Sequence, residues 1–245
     1  MTIVQPYARI IDFGKGCSGH AIGGNDPITP FGLGQGIALL RKIEWCARIS
    51  HRSEDAQTAT SYERFLRAVV VDHGDWSVTE HASVTTDWDV DRGVQQELTR
   101  HRQPSYTIES TRFVNYAKGQ PARFVAPPEF KNERSRLFWG DAMRAAETSY
   151  LALLASGESP QIARDAFPLA LAGRIICTAN LRMWRHLFLM RTTRETHPKF
   201  RHVSLSLLAE FQATIPILFE DIEPMAKQSH NIKKVEELWS EPPQE

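Results

Sequence analysis

Arg100-His101-Arg102-Gln103-Pro104-Ser105-Tyr106-Thr107-Ile108-Glu109-Ser110-Thr111-Arg112 gathers four cationic or potentially cationic side chains around small hydroxyls. Arginine is always charged, and its planar fork of donors matches the oxygens of phosphate and carboxylate. Such a cluster suits a ligand carrying several anionic groups, such as a nucleotide or a dinucleotide cofactor. A solvated basic helix end is the plainer reading of Arg-His-Arg. Here apolar and small residues interleave with the arginines, and Glu109 sits among them, so the segment is not a simple charge run.

Outward from this stretch, strand-like and helical segments alternate. His81 to Val90 alternates in polarity and is rich in Val, Thr and Trp, which predicts a strand. Asp91 has the chemistry of an N-cap, so a helix is expected from Asp91 to His101 with Arg100 to Arg102 at its C-terminal end. Upstream, Ala8 to Ile11 reads as an edge strand and Ile37 to Ile49 as a helix. Ser61 to His73 reads as another helix, with Phe65, Ala68 and Val69 inward and Gly74 as its stop. Downstream, Arg123 to Pro128 is strand-like, Asn132 to Ala155 is a long amphipathic helix, and Ser159-Pro160 opens a further one. Leu169 to Cys177 reads as a buried strand, while Asn180 to Thr192 and Val203 to Ile215 read as helices. The expected fold is α+β, a central antiparallel-rich sheet flanked by helices. One domain would span residues 1–224, followed by a polar extension over 225–245.

With 245 residues the chain is long enough to bury a sizeable core. Its 29 basic and 29 acidic residues balance, which argues against a general nucleic-acid binder that works by neutralising phosphates. Cys17, Cys46 and Cys177 show no CxxC spacing, so neither a disulfide framework nor a zinc site is expected. Cys177, in the apolar run Ile175-Ile176-Cys177, reads as a small buried hydrophobe. No charged n-region with an apolar core opens the chain, and no apolar stretch is long enough to span a bilayer. A soluble, cytoplasmic protein without metal, membrane or nucleic-acid partners is expected. Ser110 is a tempting nucleophile, but no Ser-His-acid arrangement is readable around it and no glycine-flanked turn presents it.

Arg-His-Arg, seven residues and then Ser110 closely resembles the signature of the flavin-dependent thymidylate synthases. Four further segments are similar to that family's and occur in its order. Ser77-Val78-Thr79-Glu80-His81 precedes a strand, and Gln96-Glu97 precedes the first arginine by one turn. Ala163-Arg164-Asp165-Ala166-Phe167-Pro168 and Asn180-Leu181-Arg182, continued through His186 to Met190-Arg191, complete the set. Helical spacing places Glu97 and Arg100, and likewise Arg182 and His186, on common faces. At Ile108 the chain departs from the polar residue that many relatives carry.

The resemblance implies a thymidylate-synthase-complementing type of fold and the reductive methylation of dUMP to dTMP. FAD would be the cofactor, 5,10-methylenetetrahydrofolate the carbon donor and NADPH the reductant. It implies that His81, Ser83, Arg100, His101, Arg102, Asn180, Arg182, His186 and His197 hold FAD. Glu97, Arg100, Glu109, Ser110, Arg112, Arg164 and Arg191 would bind dUMP, with Arg191 acting on the uracil as the catalytic residue. A homotetramer with shared active sites is also implied.

Overall fold

Two nine-residue strands, Ser83–Asp91 and Ala172–Asn180, form the spine of the molecule. The computed structural model describes residues 1–11, 33–119 and 121–223; the glycine-rich segment before Leu33 lies mostly outside them, as do Cys17 and the polar extension. In chain order the elements are β1 (Thr2–Val4), β2 (Tyr7–Ile10), α1 (Leu33–Ile49), α2 (Ser61–Leu66), β3 (Ser83–Asp91), α3 (Arg92–Leu98), β4 (Ser105–Ile108), β5 (Arg123–Val125), α4 (Glu133–Ala155), α5 (Pro160–Ala163), β6 (Ala172–Asn180), α6 (Leu181–Arg191) and α7 (Pro198–Thr214). The main sheet has the order β2-β3-β6-β4, with every pair antiparallel, and β1 pairs in parallel with β5. The structure is therefore the mixed α+β architecture expected, with β2 on the sheet edge.

Alternation along β3 separates two environments. Val84, Thr86, Trp88 and Val90 are buried toward the larger core. There Trp88 stacks on Trp184 of α6 with 6.4 Å between centroids and meets Phe200 of α7 edge-on at 6.2 Å. Phe188, Phe211 and Phe219 extend the aromatic cluster. Each such pair adds about 0.5–1.5 kcal/mol beyond the area it buries. The indole N–H groups are satisfied, Trp88 donating to Thr86 Oγ1 and Trp184 to the Val84 carbonyl. Gly36 lets α1 approach the end of α7, because a Cβ there would lie 1.6 Å from the Thr214 carbonyl oxygen.

The alternate positions of β3 carry Asp87, Asp89 and Asp91, all buried and each matched to cations from other elements. Asp87 takes Arg9 at 3.2 Å and Arg174 at 2.7 Å, Asp89 takes Arg123, and Asp91 takes Lys199. Lys199 also donates to the Val125 carbonyl at 2.7 Å, tying α7 to β5. A second, smaller core lies under α4, where Tyr150 stacks on Phe167 at 4.4 Å and Tyr116 meets both.

Several boundaries differ from the sequence reading for local reasons. β6 begins at Ala172 rather than Leu169, because the carbonyls of Leu169 and Leu171 accept the first N–H groups of α3. After Leu66 the second helix widens into a π-helical stretch, Arg67–Asp72, so Tyr62, Leu66 and Val70 face inward while Ala68 is exposed. Gly74 ends it at φ +84°. α7 starts five residues before Val203, with Pro198 in its first turn. β4 and β1 are short strands the sequence reading did not anticipate.

Replacing Lys199 by Met should leave the Asp91 carboxylate buried and uncompensated. Chemical denaturation is expected to show a loss of about 3–5 kcal/mol, the magnitude seen when one partner of a buried pair is removed.

Candidate active site

The pairing of β3 with β6 sets Ser83 opposite Asn180. The Ser-x-x-Glu-His segment, a 3-10 turn over Trp76–His81, thereby lies beside the start of α6. Asn180 caps α6, its Oδ1 accepting from the Met183 N–H at 2.8 Å. In the first turn of the helix Arg182 reaches back to Glu80 at 2.6 Å. Arg182, His186 and Arg191 then line one wall of a cleft of about 650 Å³.

The opposite wall is the turn Arg100–Gln103. α3 does not extend to His101 as the sequence suggested. It ends at Leu98, and the chain continues through a turn with the His101 N–H donating to the Leu98 carbonyl at 3.1 Å. Two things stop the helix: Thr99 Oγ1 bonds back to the Gln95 carbonyl at 2.9 Å, and the Tyr106 hydroxyl is within 2.8 Å of the carbonyls of both Leu98 and His101. β4 thus pins the turn that presents the arginines. Burial raises the Tyr106 phenol above its usual range, so the hydroxyl stays a donor.

Within the cleft the charges are unevenly matched. Arg182 pairs with Glu80, and Arg191 donates through Nη1 to Glu97 at 3.3 Å, whereas Arg100 and Arg102 pair with no carboxylate among the described residues. Glu97 therefore serves Arg191 rather than sharing a ligand face with Arg100 alone. Arg191 also donates through Nε to His101 Nε2 at 2.9 Å, and its guanidinium lies 5.0 Å from the centroid of the buried Phe200 ring. His101 is 7% exposed and meets His186 edge-on at 6.0 Å. Burial, followed by the charges of Arg191 and His186, holds its imidazole down to about 4. Met183 and Met190 add apolar surface to the cleft floor, where a planar ring system can pack.

The remaining sequence candidates fall elsewhere. His81 and Ser83 are exposed at the Glu80 end of the cleft, beyond its immediate lining. His197 is the N-cap of α7, its Nδ1 accepting from the Lys199 N–H at 3.3 Å, and it does not line the cleft. Glu109, Ser110, Arg112 and Arg164 form a second group at the far end of β4. There Arg164 donates to Thr111 Oγ1 at 3.3 Å, and Ser110 Oγ accepts from the Arg112 N–H at 3.4 Å. Glu109 is held by the Tyr116 hydroxyl at 2.8 Å, and the Arg112 guanidinium lies 5.5 Å from the Phe113 ring. Glu80, Gln103, Met183 and Met190 are the cleft residues to which the sequence reading gave no role. Glu80 alone had a signal, as the acid of the Glu-His pair.

Cys177 is fully buried, its thiol pushed up to about 12 by burial, and Cys46 lies on α1 outside the cleft lining. Neither suits nucleophilic attack in the cleft. Among the described residues no group of three or more His, Cys, Asp or Glu could hold a metal ion, and no helix is long and apolar enough to cross a membrane.

A cationic cleft between an arginine-bearing turn and an arginine-bearing helix suits an anionic ligand of cofactor size. Comparison with known proteins narrows the class. The family described as "Thymidylate synthase complementing protein" matches residues 39–217. The flavin-dependent thymidylate synthase of Mycobacterium tuberculosis (strain H37Rv) is 31% identical over 201 residues, covering 74% of this chain and 78% of that protein. The protein of the same name from Mycobacterium sp. (strain KMS) is 33% identical over 205 residues, covering 74% and 79%. The crystal structure of thymidylate synthase X from Helicobacter pylori with FAD and dUMP superposes with a TM-score of 0.64 at 18% identity, covering 75% of this chain and 93% of that one. The chain belongs to the flavin-dependent thymidylate synthase, or ThyX, family.

Tyr106→Phe should unlock the turn that carries the arginines, leaving the Leu98 and His101 carbonyls without their hydroxyl donor. The expected result is a loss of about 1–3 kcal/mol in stability. Hydrogen exchange should speed up at residues 99–103 first.

Proposed function

We propose that this protein is an FAD-dependent thymidylate synthase that methylates dUMP reductively to dTMP, with 5,10-methylenetetrahydrofolate as carbon donor and NADPH as reductant. The observation that carries the reading is the cleft itself: the Arg-His-Arg turn and the Asn180–Arg191 segment, far apart in sequence, enclose one cationic space. Its volume falls within the roughly 300–1,000 Å³ usual for cofactor and small-molecule sites. Its donor set fits a dinucleotide, because Arg100 and Arg102 hold no ion pair among the described residues and suit a pyrophosphate.

Arg100, Arg102 and Arg182 bind the cofactor phosphates, with His101, His186, Asn180, His81, Ser83 and His197 completing the flavin environment. When bound, FAD supplies the hydride and mediates one-carbon transfer, and NADPH restores its reduced form. Arg191 stabilises negative charge on the uracil N3–C4 edge, which makes C5 nucleophilic without a protein thiolate. A preorganised donor aimed at developing charge contributes about 3–4 kcal/mol in a water-excluded site. Buried Cys177 and half-buried Cys46 are consistent with a route that needs no cysteine.

Ser110, Arg112 and Arg164 bind the dUMP phosphate, joined by Glu97, Glu109 and Arg100 around the nucleotide. Within one chain the Ser110 group and the cleft lie at opposite ends of β4, whose four residues rise roughly 13 Å at about 3.3 Å each. That separation supports a homotetramer in which one protomer's cleft is completed by another's phosphate-binding group.

Purified protein should be yellow, its flavin band should bleach with NADPH, and dTMP should form from dUMP only when methylenetetrahydrofolate is present. Arg102→Ala and Arg182→Ala should fold normally yet purify with much less flavin. Full flavin occupancy in both variants would place the cofactor elsewhere.

Mixing inactive Arg164→Ala chains with inactive Arg182→Ala chains should restore partial dTMP formation by assembling intact composite sites. A monomer by light scattering that makes dTMP would exclude sharing.

A further inference from the structure

Arg191 is held on three sides. Nε donates to His101 Nε2 at 2.9 Å, Nη1 donates to Glu97 Oε2 at 3.3 Å, and the Phe200 ring lies 5.0 Å from its central carbon. The first contact fixes a proton. An arginine Nε always carries hydrogen and cannot accept a bond, so His101 Nε2 must be the acceptor and must be bare. A neutral His101 therefore keeps its proton on Nδ1. We propose that His101 is a positioning residue for the reaction, a neutral acceptor that orients the Arg191 guanidinium so that its remaining Nη donors address the nucleotide base. The proposal rests on Arg191 acting on the uracil, and it gives His101 a duty separate from holding flavin.

The surroundings favour the neutral ring. Arg191 and His186 face it from α6, Glu97 faces Arg191 from α3, and Arg100 and Arg102 flank it on its own turn. Arg182 and Glu80 pair across the same cleft, and from β4 the Tyr106 hydroxyl takes the His101 carbonyl. Burial is the first cause, and the charges of Arg191 and His186 add to it, so its titration lies at about 4. Protonation would set a second N–H against the Arg191 Nε–H, cancel the bond and add repulsion. A folded-state value below the usual one for histidine means that the neutral ring's contribution is complete above about 6.5. It is lost as pH falls from there toward 4.

Two measurements on the full-length protein test this. In long-range nitrogen-15 spectra of histidine-labelled protein without nucleotide, the His101 signal is assigned by its disappearance in His101→Gln. It should show the Nδ1–H form with Nε2 bare. In Arg191→Lys, which lacks an Nε donor but keeps the charge, that tautomer preference should be lost. A tautomer unchanged by Arg191→Lys would overturn the proposal.

The second measurement is kcat for dTMP at saturating dUMP, folate and added FAD. His101→Leu, which has no acceptor, should lower it about tenfold to a hundredfold, the scale of a misplaced catalytic group. His101→Gln, which offers an amide oxygen, should recover most of it. In an Arg191→Lys background, His101→Leu should cost less than about twofold more, since both changes remove one function. Independent, multiplying losses would overturn positioning through Arg191. Full dTMP formation in Arg191→Lys alone would instead sink the role given to Arg191, and the spectra would still report whether His101 orients it.

Discussion

The nine-residue pairing of β3 with β6 is the constraint on which the site depends. It sets Ser83 against Asn180 at one end and Asp91 against Ala172 at the other. Both ends are N-caps: Asn180 starts α6 and Asp91 starts α3, each accepting from an N–H three residues on at 2.8 Å. The register therefore launches both arginine-bearing segments from one rigid ladder, and it brings Glu80 to Arg182 across 102 residues of chain. A slip by one residue would turn Trp88 out of the core and exchange it for the paired aspartates. Core packing and site assembly are specified by the same register.

The protein separates its arginines by what they meet. Arg9, Arg123 and Arg174 are matched to buried aspartates on β3, Arg48 to the buried Glu44, and Arg185 to Asp221. Those guanidiniums hold the fold. In the cleft, four arginines face only Glu80 and Glu97 as carboxylates among the described residues. Like charges held together without a ligand destabilise the folded state, and an anionic ligand that binds only that state stabilises it in proportion to its concentration over Kd. The net charge of zero conceals this division, because it averages the matched and the unmatched groups.

Much of the site was legible in the sequence because its residues sit in short, ordered motifs. Arg100, His101, Arg102, Arg182, His186 and Arg191 do converge on one cleft. What the sequence hid was set by tertiary contacts. The end of α3 at Leu98 depends on a hydroxyl from Tyr106, and the late start of β6 depends on α3 borrowing the carbonyls of Leu169 and Leu171. The aspartates of β3 looked like the polar half of an alternating strand, yet they are buried because cations from β2, β5, β6 and α7 cover them. His197 has a local duty that no motif announced: its ring Nδ1 accepts from the Lys199 N–H and caps α7.

In the role proposed for Arg191, the choice of its partner follows from what its charge would be needed for. A carboxylate on Nε would orient the guanidinium strongly but would also cancel much of the field at the base. A neutral imidazole fixes direction through one hydrogen bond and leaves the charge intact. Glu97 does carry charge, but it meets Nη1 at a longer 3.3 Å, and its side chain is 35% exposed, where solvent screens it. Phe200 beneath the guanidinium stabilises the cation further while excluding water. The three contacts together leave Arg191 fixed in direction and still cationic, the combination that its proposed role at the pyrimidine requires.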